Sequence, residues 1–64
     1  MSEEKKELER IEHKNRTWRS KFAREMEIWE EIAMQINGYT GKKQKYWCRV
    51  MDLYHEKYRK QLNK

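Results

Sequence analysis

The chain has 64 residues, 36% of them hydrophobic and 42% charged, with a formal net charge of +5 at pH 7. That length allows at most one small domain, near the lower limit for folding alone. The sequence has no apolar run long enough to cross a bilayer and an acidic, polar start without a signal-peptide pattern; its single cysteine, Cys48, fits a reducing compartment. Eight aromatic residues argue against disorder, because each large ring supplies much buried area for little chain. There is no proline, and both glycines lie in one central stretch, so helix is the natural reading of the rest.

The first expected helix spans about residues 3–15. Ser2 can cap it, and Glu3 and Glu4 suit the positive end of its dipole. Its apolar stripe is narrow: Leu8 and Ile11, with Asn15 and Trp18 further along the same face. Such a helix must pack on the later ones. Residues 15–20 form the expected break, where Thr17 or Ser20 can cap the next helix and Trp18 is expected to seal the junction. One uninterrupted helix from Glu3 to Ile36 is the alternative, since no Pro or Gly marks the boundary.

A second helix is expected over about 21–36. Phe22, Met26, Trp29, Ala33 and Ile36 recur at helical spacing and predict the inward stripe, widened by Ile28 and Ile32. Glu25, Glu27, Glu30 and Glu31 fill much of the remainder as a solvated acidic back. The turn Asn37-Gly38-Tyr39-Thr40-Gly41 follows, with Gly38 expected to take the left-handed conformation and Thr40 or Gly41 to cap the third helix.

That third helix is expected over about 42–61. Trp47, Val50, Tyr54 and Tyr58 point inward on a helical wheel; Lys42, Lys45, Arg49, Asp52, Glu56 and Lys60 point nearly the opposite way, and Gln44, Cys48, His55 and Arg59 form a shoulder. Charge follows the same division. Residues 1–37 hold eight Lys/Arg against nine Asp/Glu, whereas residues 38–64 hold eight against only Asp52 and Glu56. The excess on the second half suggests an anionic partner, nucleic acid first, or else a solubilising face.

Chemistry-bearing constellations are absent from the sequence. His13 and His55 stand without metal-ligand partners, Glu30 and Glu31 diverge by about 100° around a helix, and no nucleophile–base pair or phosphate loop is present. No enzyme activity, cofactor, metal or small-molecule substrate is expected.

The residues Trp29-Glu30-Glu31-Ile32-Ala33, then Gly38-Tyr39-Thr40, then Gln44 and Trp47, closing with Val50 and Tyr54, resemble the second and third helices of the Myb/SANT family. The ending is more similar to its MADF and trihelix subgroup, and Trp18 resembles the tryptophan that follows the first helix in MADF-type domains. The resemblance implies an all-α three-helix bundle with a helix-turn-helix variant, whose third helix enters the DNA major groove. It implies base contacts from Gln44, Lys45 and Cys48, phosphate contacts from Thr40, Lys42, Lys43 and Arg49, and a structural core of Trp18, Trp29, Trp47, Val50 and Tyr54. Double-stranded DNA is then the expected partner, with a second copy or another protein beside it. The expected setting is nuclear in a eukaryote and cytoplasmic otherwise. The alternative is a SANT-type module that binds a histone tail or co-regulator.

Overall fold

Three amphipathic helices close on one another. A computed structural model describes residues 3–59 as α1 (Glu3–Lys14), α2 (Lys21–Gly38) and α3 (Gly41–Tyr54), followed by a π-helical turn at His55–Arg59. Among the described residues there is no strand, and the architecture is an all-α three-helix bundle. Ser2, Lys60 and the side chain of Arg59 lie outside the described residues.

The break between α1 and α2 is present, and its chemistry is local. Buried Asn15 donates its Nδ2 to the Ile11 carbonyl at 2.9 Å, and its backbone N–H is shared between the carbonyls of Ile11 and Glu12. These bonds satisfy carbonyls that a helix end leaves open. Ser20 caps α2, its Oγ accepting from the Ala23 amide at 3.3 Å.

Only Tyr39 and Thr40 separate α2 from α3. The left-handed residue is not Gly38, as expected, but Gly41, with φ of 66° as the first residue of α3. Tyr39 and Thr40 are both extended, so the reversal into a new helix falls on the residue after them. Thr40 occupies the N-cap position without a side-chain capping bond.

The core takes two residues from each helix: Leu8 and Ile11, Ile28 and Ile32, Trp47 and Val50. Tyr54 packs against it half-buried, its hydroxyl donating to the Glu25 carbonyl at 3.1 Å. Two expected core residues are not there. Trp18 is 45% exposed and Trp29 41%. The inward stripe of α2 is the Ile28–Ile32 side, not the one marked by Phe22, Met26 and Trp29. The short turn and the two hydrogen bonds from α3, Tyr54 to Glu25 and Gln44 to Ile36, set the rotation of α2 about its axis.

The third helix also ends as an α-helix earlier than expected, at Tyr54. A π turn advances each residue by less than the roughly 100° of an α turn. Tyr54 therefore reaches α2, whereas Tyr58, four residues on, reaches α1, where its hydroxyl donates to Glu12 Oε2.

The two glycines should respond oppositely to a methyl group, for each would place it in open space. Gly41→Ala must adopt a positive φ and should destabilise the fold by about 1–2 kcal/mol. Gly38→Ala, in ordinary helical backbone, should stabilise it by about 0.4–1 kcal/mol. Urea unfolding of the two variants against the parent chain measures both.

Candidate nucleic-acid interface

The outward side of α3 carries Lys42, Lys43, Lys45, Cys48, Arg49 and Asp52, all exposed. Gly41 starts the helix and leaves its first backbone amides without a side-chain cap. Lys42 and Lys45 have no ion-pair partner among the described residues. Lys43 lies over the Tyr39 ring, Nζ 4.6 Å from its centroid, so its ammonium makes a cation–π contact while the residue as a whole stays exposed. The Cys48 thiol is free and exposed on the adjoining shoulder.

Two expected DNA contacts are already engaged. Gln44 is half-buried, and its Nε2 donates to the Ile36 carbonyl at 3.1 Å, closing the end of α2. Its amide secures the turn and does not project with Lys45. Arg49 remains exposed, but its Nη1 pairs with Glu4 Oε2 at 3.2 Å. The Glu4 carboxyl is held below its usual pKa, first by its own backbone amide at the helix start and then by Arg49. Thr40 is exposed at the head of α3, beside the lysines.

The residues that shape this surface and that sequence reasoning passed over are carboxylates of α1. Glu4 takes Arg49; Glu7 Oε1 accepts from the Tyr46 hydroxyl at 3.2 Å; Glu12 Oε2 accepts from Tyr58 and pairs with Lys57 Nζ at 2.6 Å. Tyr46, Arg49 and Lys57 share one flank of α3 and its continuation. That clustering, set beside a helix rich in glutamate, was the available signal. The effect is to neutralise the later part of α3 and leave the positive charge at its start.

Burial raises the pKa of Tyr46, Tyr54 and Tyr58 above the ordinary phenol value, and the neighbouring carboxylates Glu7, Glu25 and Glu12 add to it. The folded chain thus keeps phenolic protons that the unfolded chain loses above pH of about 10. Stability from these tyrosines is complete below that pH and declines as pH rises beyond it. Melting curves from pH 8 to 12 should show this decline, and Tyr58→Phe should flatten it.

No group of three or more potential metal ligands occurs among the described residues, and no described helix is long and apolar enough to cross a membrane. Compared with known proteins, the chain matches no family model, no curated protein and no solved structure.

The two roles for Gln44 differ in what its loss does to the free protein. Gln44→Ala should cost about 0.5–1.5 kcal/mol of stability, the worth of a typical net hydrogen bond, read by urea unfolding without any ligand. A side chain waiting in solvent for a base would leave the midpoint unchanged.

Proposed function

We propose that the chain is a duplex DNA-binding module of the transcription-regulator type, which presents the first turns of α3 to the major groove. The observation that carries this reading is the cluster of exposed cations at that helix start: Lys42, Lys43 and Lys45, with no carboxylate paired to any of them among the described residues. The resemblance of residues 29–54 to the second and third helices of Myb/SANT domains supports it, as does the two-residue turn joining those helices.

The roles divide by position. Lys45, on the outward ridge, is the proposed reader of guanine O6 and N7, with Cys48 offering a weak apolar contact beside it. Lys42, Lys43 and Thr40, at the helix head, hold phosphates together with the uncapped amides. Gln44 acts through the turn, and Arg49 contributes to phosphate binding only when released from Glu4. A DNA-binding role places the protein in the nucleus of a eukaryotic cell and in the cytoplasm otherwise. It calls for no cofactor and no catalytic group.

Few contacts imply weak binding with a strong dependence on salt. An NMR titration with short duplexes at two salt concentrations should move resonances from Thr40 to Arg49. Lys42→Ala should weaken binding evenly across sequences and lower the salt slope by about 1. Lys45→Ala should relax preference at one base pair, a discrimination of about 1–3 kcal/mol. Unchanged sequence preference after Lys45→Ala would remove the base-reading role. Silence with DNA, together with shifts over Glu25–Glu31 on adding a basic histone-tail peptide, would replace the DNA reading with a protein-interaction one.

A further inference from the structure

The apolar stripe of α2 that the core leaves out is a surface in search of a partner. Phe22, Met26 and Trp29 are 72%, 44% and 41% exposed, and Trp18, just before the helix, is 45% exposed. None of the four belongs to the buried core. With Ala33 the α2 residues follow i, i+4, i+7 and i+11, which holds them within about 60° of the helix circumference. A continuous aromatic stripe of this kind marks an interaction site rather than scattered exposure.

The charges around it identify the occupant. Residues 16–24 contain Arg16, Arg19, Lys21 and Arg24 and no acid; residues 25–31 contain Glu25, Glu27, Glu30 and Glu31 and no base. Arg19, Lys21, Glu27 and Glu30 form no ion pair among the described residues. We infer that α2 is the interface of a homodimer, in which the helix packs antiparallel on the same helix of a second copy about a two-fold axis at the level of residue 24 along the helix. That axis sets Phe22 against the second copy's Met26 and Trp18 against its Trp29. It also brings the basic stretch of each copy alongside the acidic stretch of the other, so Arg19 approaches Glu30 on the same side of the stripe. A parallel arrangement would set like charge on like and leave the tryptophans at opposite ends. The interface is isologous, as a two-fold requires, and its small size suits a weak, concentration-dependent dimer. It uses none of the lysines of α3 and does not depend on DNA binding.

Sedimentation equilibrium of the full chain from about 10 μM to about 1 mM tests this. A monomer–dimer equilibrium is expected. Met26→Glu should raise the dissociation constant at least about tenfold, with helicity by circular dichroism unchanged. Arg19→Glu, which touches no apolar residue, should also weaken the dimer, and adding Glu30→Arg to it should restore most of the loss. A chain that stays monomeric at the highest concentration overturns the inference. So does a dimer indifferent to Met26→Glu, or one that the charge reversals leave unaltered.

Discussion

Trp47 and Val50 stand three residues apart on one face of α3, and α1 and α2 close over them from either side. Leu8 and Ile11 arrive from α1, Ile28 and Ile32 from α2, and no helix contributes more than two fully enclosed side chains. Short helices gain most of their stability from such packing and little from their own hydrogen bonds. The three elements therefore depend on a common point of contact. Partly buried residues, Ile36, Tyr39, Tyr46, Met51, Leu53, Tyr54 and Tyr58, extend that centre outward as half-buried rings and aliphatic groups.

Around this small centre, polar groups do the orienting. Gln44 and Tyr54 reach from α3 to backbone carbonyls of α2, at Ile36 and Glu25. Tyr46, Arg49, Lys57 and Tyr58 reach the other way, to the glutamates of α1. The second set has an electrostatic consequence. It compensates cations along the later part of α3 and leaves those at its beginning to the solvent, so a chain of modest net charge presents a concentrated positive end.

Much of this was legible from residue order. The helix count, a break within residues 15–20 with Ser20 as one of two capping candidates, the burial of Trp47 and Val50 and the exposure of Lys42 and Lys45 all follow from local spacing and capping chemistry. The rotation of α2 was not legible, because that helix carries two apolar stripes. Phe22, Met26 and Trp29 offer larger side chains than Ile28 and Ile32, yet the turn and the reach of Gln44 select the isoleucines. Periodicity reports that a stripe exists; it does not report which of two faces inward. The engagement of Arg49 by Glu4 was hidden for a related reason. It joins residues 45 positions apart, and only the packing of α1 along α3 brings them together. The π turn, too, leaves no local mark in His55-Glu56-Lys57-Tyr58-Arg59, and only the partners of Tyr54 and Tyr58 reveal it.

The pairing of Arg49 with Glu4 gives the amino-terminal helix an unexpected part to play. Glu4 is a tethered anion already seated on the guanidinium that an incoming anion would seek. Any ligand that captures Arg49 must first displace it, and in doing so unfastens one of the ties that hold α1 in place. By thermodynamic reciprocity the two events share a single coupling energy: whatever loosens α1 makes that cation more available, and whatever occupies the cation loosens α1.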